Sequence, residues 1–256
     1  MLRRYLFISL TVILFSIAAW QVLTTHLRAQ RPDVILLTVE SLRNDLVSRE
    51  TLPRLLDISG QGYRFHRHRA VSGWTGSNIV ALLSGLNPFE SGVHTRGLTV
   101  DADLERPLES VAGQGYLVQG IQGFMTMDIF QHLGLEVVTD MPELQYHLAL
   151  KQDGEAPFFT WYHYLHTHLP YTVDGGGADA PPGRQLSPQA RERLALVQEQ
   201  ATIHYDETTF QPEDVPLVHD LQKHAMLEFD AWFARFWDFF NRSGLRRNTI
   251  LIVTAD

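Results

Sequence analysis

Two short runs of apolar, largely β-branched residues constrain the fold of this chain more than any other feature. Residues 33–39 (DVILLTV) and 249–255 (TILIVTA) have the pattern of strands that are buried on both faces. Weaker runs at Leu117–Ile121 and Phe158–Leu165 predict two further strands. Strands buried in this way are typical of parallel sheets whose faces are covered by helices.

Helical patterns lie between the strand patterns. Residues 77–86 have apolar side chains at helical spacing, and residues 187–203 open with Ser-Pro, a typical helix start. Residues 224–242 place five apolar side chains on one stripe: Met226, Phe229, Phe233, Phe236 and Phe240. The alternation predicts an α/β fold with a mostly parallel central sheet flanked by helices. The Gly/Pro-rich stretch Thr172–Pro188 predicts a mobile surface loop, and residues 32–256 show no boundary between two soluble domains.

The first 31 residues have the pattern of a membrane segment. Tyr5–Thr25 carries no charge and is mostly apolar, which is long enough for a helix to span a bilayer core of about 30 Å. Arg3 and Arg4 precede it and favour a cytoplasmic N-terminus. We therefore expect residues 1–31 to form one uncleaved transmembrane anchor, with a cleaved signal peptide as the alternative. Either interpretation places the remainder of the chain outside the cytoplasm.

The charge balance and the lack of cysteine exclude several function classes. Residues 32–256 carry 17 basic and 29 acidic side chains, a formal net charge of −12. An acidic body of this kind argues against nucleic-acid binding, which requires clustered cations. The chain has no cysteine, so thiolate catalysis, Cys-ligated zinc and disulfides are excluded.

A carboxylate follows each of the two strongest strand patterns. Residues 33–39 lead into Glu40, and residues 249–255 lead into Asp256. Ligands of open α/β sheets bind at the carboxyl ends of the strands, where two acids can share a hard or borderline cation. The alternative is that both acids are ordinary turn residues.

Hydroxyl and imidazole groups supply two further candidates. Thr75 and Ser77 lie just before an apolar helix, where a hydroxyl can meet an anion or can serve only as the N-cap. His166 and His168 follow a predicted strand, where they can hold an anion or a metal or can be structural histidines.

The order of these segments resembles the sulfatase-like branch of the alkaline phosphatase superfamily. Residues 33–45 resemble the first strand of that family with its metal-binding acid, and residues 74–93 resemble its nucleophile segment. The helix at 52–65, the H-x-P-Y segment at 163–171 and the last helix and strand at 224–256, with Asp230 in the helix, follow in the family's order.

The resemblance implies an alkaline-phosphatase-like fold and specific residue roles. It implies that Glu40, Thr75 and Asp256 hold a divalent metal (Zn, Mn, Mg or Ca) and that Thr75 is the nucleophile. It also implies that Asn78 and His168 bind the transferred group. In the family a His follows the final Asp, and further ligands come later. We therefore expect residues 32–256 to be the N-terminal part of an incomplete catalytic domain.

The nucleophile position bears on the choice between phosphate and sulfate esters. Typical sulfatases convert a Cys or a Ser into formylglycine, and oxidation of a Thr would give a ketone instead. A Thr nucleophile with a Glu ligand resembles membrane-anchored phosphotransferases such as lipoteichoic-acid synthases. The expected function is therefore metal-dependent hydrolysis or transfer of phosphate esters, with lipid- or glycan-linked substrates. A sulfatase of the same fold, and an inactive fragment or binding protein, are the alternatives.

Overall fold

Within the residues that the structure describes, the central sheet contains five parallel strands. The computed structural model describes residues 13–20, 31–95, 98–100, 107–122, 133–138, 144, 148, 156–168, 212 and 215–256. The strands of the described part are β1 (Asp33–Val39), β2 (Leu117–Gln122), β3 (Glu136–Val138), β4 (Phe158–Tyr164) and β5 (Thr249–Ala255). Their order in the sheet is β3-β2-β4-β1-β5, and every neighbouring pair is parallel. All five strands therefore present their carboxyl ends at one edge.

Helices cover both faces of the sheet. They are α1 (Pro53–Ser59), α2 (Thr75–Ser84), α3 (Pro107–Gly113) and α4 (Val215–Arg242), with short 3-10 helices at Asn44–Leu46 and Leu245–Asn248. Side chains alternate along β1, so that Ile35, Leu37 and Val39 pack in the cluster that contains the aromatic stripe of α4. Leu36 packs in a second cluster with residues of α2 and α3. The sheet thus has α4 on one face and α2 on the other.

Helix α1 is capped by a side chain from α4. The residue before α1 provides no side-chain cap. Instead, the buried carboxylate of Asp230 accepts hydrogen bonds from the backbone N–H groups of Arg54 (3.0 Å) and Leu55 (2.9 Å). These are N–H groups that a helix leaves unpaired in its first turn, where the helix dipole favours a negative charge. Asp230 therefore fixes the N-terminal end of α1 on α4.

The structure confirms the mostly parallel α/β fold, and two strands have the predicted bounds. The helix predicted at 77–86 begins and ends two residues earlier, and the helix predicted at 224–242 begins nine residues earlier, at Val215. The five residues of the predicted stripe on α4 are all buried. The predicted loop Thr172–Pro188 and the predicted helix 187–203 both lie outside the described residues. Strand β3 and helix α3 were not predicted.

The predicted membrane span lies mostly outside the described residues. Residues 13–20 of the Tyr5–Thr25 run are helical. Among the described residues, no helix combines the length and the apolar character needed to cross a membrane.

The capping role of Asp230 predicts a stability change. In Asp230→Asn, an amide N–H₂ group replaces one acceptor and leaves a buried backbone N–H unpaired. We expect the free energy of unfolding to fall by about 1–3 kcal/mol. Asp238→Asn, on the exposed side of the same helix, is the matched control and should change it by less than about 0.5 kcal/mol. Urea unfolding measures both, and equal effects of the two substitutions would contradict the capping role.

Candidate active site

The parallel register brings the two predicted acids together. Val39 pairs with Ala255 across β1 and β5, so Glu40 and Asp256 leave the sheet side by side. The backbone N–H of Ser41 donates to Asp256 Oδ1 (2.9 Å), and its hydroxyl donates to Glu40 Oε1 (3.0 Å). Ser41 has a φ of 54°, a conformation that costs a non-glycine residue about 1–2 kcal/mol. The hydrogen bonds of Ser41, including one to its carbonyl from Gln222 (3.0 Å), hold this turn in place.

The Thr75 hydroxyl donates a hydrogen bond to the Glu40 carboxylate. Thr75 is the first residue of α2 and follows Trp74 at the N-cap. Its Oγ1 lies 3.2 Å from Glu40 Oε1 and 3.1 Å from Oε2, and donates to that carboxylate. The hydroxyl of Thr75 therefore contacts the acid at the end of β1 and does not cap the helix.

The residue after Thr75 must be small. A Cβ atom placed on Gly76 would lie 2.6 Å from the Trp74 ring, closer than van der Waals contact permits. The glycine therefore lets the indole pack across the first turn of α2.

A buried histidine completes the group. His163 lies on β4 directly opposite Thr38, and its Nε2 lies 2.9 Å from Glu40 Oε2. Its Nδ1 lies 2.7 Å from Thr38 Oγ1, which also accepts a hydrogen bond from Trp161 Nε1 (2.9 Å). Glu40, His163 and Asp256 each offer a ligand atom within 4.8 Å of the other two.

The hydrogen-bonding groups on either side of His163 fix its tautomer. The Trp161 indole N–H can only donate, and the Glu40 carboxylate can only accept. Nε2 of His163 must therefore carry the hydrogen that faces Glu40. In the neutral ring Nδ1 then accepts from the Thr38 hydroxyl. Hydrogen bonds thus run from Trp161 through Thr38 and His163 to Glu40, an arrangement that orients metal-binding side chains in other proteins.

The two carboxyl groups have opposite pKa shifts. Burial raises the pKa of Glu40, but hydrogen bonds with His163 and Asp256 and the nearby imidazoles lower it by more, so the net shift is downward. Burial and the negative charge of Glu40 raise the pKa of Asp256. Asp256 is therefore the carboxyl group of the pair that takes up a proton first as the pH falls. A divalent cation would satisfy both charges, and oxygen ligands of this kind suit Mg²⁺, Mn²⁺, Ca²⁺ and Zn²⁺.

The two predicted substrate-binding residues lie in different settings. Asn78 is buried, and its side-chain amide is hydrogen-bonded to the loop before α2. Its Oδ1 accepts from the N–H groups of Val71 (2.9 Å) and Ser72 (3.0 Å). Its Nδ2 donates to the carbonyls of Ser72 (2.8 Å) and Trp74 (3.2 Å). Asn78 thus shapes the loop that presents Thr75. His168 is exposed in the turn after β4, where its imidazole contributes to the lowered pKa of Glu40. Contact of either residue with a substrate stays a prediction.

Three residues of the site were missed by the sequence analysis. His163 shares a sheet face with Trp161 by the two-residue period of β4, a signal that was available in the sequence. Ser41 directly follows Glu40, but no residue pattern in the sequence indicates its positive φ. Thr167, whose hydroxyl donates to the Glu40 carbonyl, lies between the two histidines that were singled out. His166, one of those two, is exposed and packs edge-on against Tyr164.

Comparison with known proteins adds to this geometry. No protein-family model and no curated protein matches the sequence. Among solved structures, the chain is similar to an alkaline phosphatase superfamily protein from Vibrio parahaemolyticus, with a TM-score of 0.56 and 18% identity over 88% of this chain and 54% of that one. It is also similar to a phosphonate monoester hydrolase from Silicibacter pomeroyi, with a TM-score of 0.59 and 15% identity over 88% of this chain and 62% of the hydrolase.

A third similar structure is a lipoteichoic acid synthase from Listeria monocytogenes, with a TM-score of 0.59 and 10% identity over 88% of this chain and 56% of the synthase. The chain has an alkaline-phosphatase-like fold. The fold implied by the sequence resemblance is therefore confirmed. The chain spans between about half and three fifths of the length of these structures. In this alkaline-phosphatase-like fold, the cluster of Glu40, Thr75, His163 and Asp256 lies at the carboxyl edge of the parallel sheet.

The hydrogen bonds of His163 predict that it supports Glu40. His163→Ala leaves the Thr38 hydroxyl hydrogen without its acceptor and removes one of the donors to the buried Glu40 carboxylate, and should lower the free energy of unfolding by about 2–3 kcal/mol. His163→Gln offers both a donor and an acceptor and should recover more than half of that loss. His166→Ala is the exposed control. Urea unfolding measures the free energy of unfolding of each variant. Equal, small losses in His163→Ala and His166→Ala would contradict a supporting role of His163.

Proposed function

We propose that this protein is a metal-dependent hydrolase or transferase of phosphate esters, with Thr75 as its nucleophile. The observation that carries the proposal is the contact of the Thr75 hydroxyl with Glu40, beside Asp256 and at the start of a helix. A hydroxyl nucleophile needs an acceptor or a cation to become reactive, and it needs positive groups near the oxygens of its substrate. Glu40 is the acceptor for the Thr75 hydroxyl, and the N-terminus of α2 provides the positive groups.

The residues that would hold the metal are Glu40, Asp256 and Thr75 Oγ1. A bound divalent cation would lower the pKa of the Thr75 hydroxyl and offset charge on the ester oxygens. His163 would hold the Glu40 carboxylate in orientation, and the Ser41 N–H would do the same for Asp256.

The chain's own residues support a two-step reaction. Thr75 Oγ1 attacks the phosphorus and gives up its proton to the Glu40 carboxylate, which accepts its hydrogen bond, as the Oγ1–P bond forms. The P–O bond to the substrate alcohol breaks, and the alcohol leaves with a proton from water while Glu40 releases the proton that it took. Water or an acceptor alcohol then attacks the phosphothreonine and restores the Thr75 hydroxyl. Such a double displacement gives ping-pong kinetics. The N–H groups at the start of α2 and the imidazole of His168 would face the negative oxygens in both steps.

Phosphate is favoured over sulfate by the nucleophile itself. The chain has no cysteine, and Thr75 cannot be oxidised to an aldehyde. Two of the similar structures are named as a phosphonate monoester hydrolase and a lipoteichoic acid synthase. A sulfatase of the same fold is the alternative, and relative rates on an aryl phosphodiester and an aryl sulfate separate the two.

We further propose that the protein acts outside the cytoplasm on lipid- or glycan-linked esters, held at the membrane by a single N-terminal span. The uncharged run Tyr5–Thr25 behind Arg3 and Arg4 supports this placement.

Replacement of Thr75 tests the proposed chemistry. In the full-length protein, Thr75→Ala removes the nucleophile and should lower turnover of an aryl phosphodiester by at least about 1,000-fold, while Thr75→Ser keeps a hydroxyl and should retain part of the activity. In the wild type, mass spectrometry after rapid quenching should find one added phosphate on the peptide that contains Thr75.

Ser77→Ala is the matched control for this substitution. Ser77 lies two residues further along α2, and within the described part of the chain its buried hydroxyl has no hydrogen-bond partner. Its loss should leave turnover within about twofold of the wild type. A Thr75→Ala protein that keeps more than about a tenth of wild-type turnover would exclude the covalent mechanism.

A further inference from the structure

The segment that leads to Thr75 differs in charge from the rest of the chain. The whole protein has a formal net charge of −8, yet residues 58–89 contain no Asp or Glu. Within that stretch, residues 63–69 read Tyr-Arg-Phe-His-Arg-His-Arg. We call residues 63–69 the basic segment. An acidic protein thus presents a concentrated positive charge immediately before its candidate nucleophile.

Every side chain of the basic segment is exposed to solvent. Tyr63 is 96% exposed and Phe65 is 84% exposed, which is unusual for aromatic residues. Arg49 and Arg43, elsewhere on the surface, form ion pairs with Asp57 and Asp45. In the described part of the structure, by contrast, no ion pair neutralises the guanidinium groups of the basic segment, which belong to Arg64, Arg67 and Arg69.

The basic segment is tied to the candidate active site. Asn78 accepts hydrogen bonds from the N–H groups of Val71 and Ser72, and Asn78 lies one helical turn after Thr75. Two residues of extended chain cover at most about 7 Å, so the Cα atom of Arg69 lies within about 7 Å of the Cα atom of Val71. The end of the basic segment that carries Arg69 is therefore held near the loop that presents Thr75.

We propose that the basic segment is a second anion-binding surface, which takes a phosphate or sulfate group of the substrate other than the ester that reacts. This inference rests on the proposed function and narrows its substrate class to polyanions. The guanidinium fork pairs with the oxygens of phosphate and sulfate in a bidentate manner, and the absence of carboxylates from residues 58–89 leaves these groups available. Several anionic groups on one chain then bind several arginines at once.

The test measures polyanion binding without turnover. In the Thr75→Ala background, the triple variant Arg64→Gln/Arg67→Gln/Arg69→Gln is compared with Arg235→Gln/Arg242→Gln/Arg247→Gln. The second set removes the same charge from exposed arginines on α4 and just before β5, away from the carboxyl edge of the sheet. Fluorescence anisotropy with labelled linear polyphosphate, and with dextran sulfate, reports the affinity of each protein. Thermal unfolding checks that both variants are folded.

We expect the first variant to lose about tenfold or more in affinity for at least one polymer and the second to lose less than about twofold. The polymer with the larger loss identifies phosphate or sulfate as the recognised group. Equal losses in the two variants, or no loss in either, would overturn the proposal. So would loss of binding to phosphatidylglycerol vesicles with unchanged polymer affinity, because the segment would then be a membrane contact. Since binding is measured without the nucleophile, failure of the Thr75 chemistry is a separate result.

Discussion

In the sheet, β1 lies between β4 and β5, and both neighbours run parallel to it in register. Val39, the last residue of β1, pairs with Tyr164 on one side and Ala255 on the other. This pairing decides where the candidate active site is, because the residue after each strand must emerge at the same edge. Glu40, Asp256 and the turn that carries His168 meet there for that reason alone. Helix α2 packs over one face of the sheet and brings Thr75 to the same edge.

Two neighbouring carboxylates in a largely buried setting are costly, since each buried ion loses several kcal/mol of hydration free energy. Here the cost is offset by a dense set of donors: His163 and the Ser41 hydroxyl to Glu40, and the Ser41 N–H to Asp256. The negative charge of Glu40, together with burial, still raises the pKa of Asp256. A site that concentrates negative charge in this way, and orients it by hydrogen bonds, fits a divalent cation better than it fits a purely structural role.

Much of the fold could be predicted from the sequence, and the site only partly. The runs 33–39 and 249–255 have the bounds of β1 and β5 because strands buried on both faces carry an uninterrupted apolar pattern. The meeting of Glu40 with Asp256 follows from parallel strands. The contacts of His163 could not be predicted, because its partners, Thr38 on β1 and Glu40 just after it, lie more than 120 residues away. Asp230 is similar: its capping of α1 depends on the packing of two helices that sequence periodicity cannot orient.

The central claim is that Glu40, Thr75 and Asp256 form one divalent-cation site. Anomalous diffraction from crystals of the full-length protein grown with Mn²⁺ tests it most directly, because the ion is located without reference to activity. We expect a single strong peak within about 2.0–2.6 Å of oxygen atoms of all three residues, and its loss in Glu40→Ala crystals. A peak elsewhere, or one that persists undiminished in Glu40→Ala, would contradict the account.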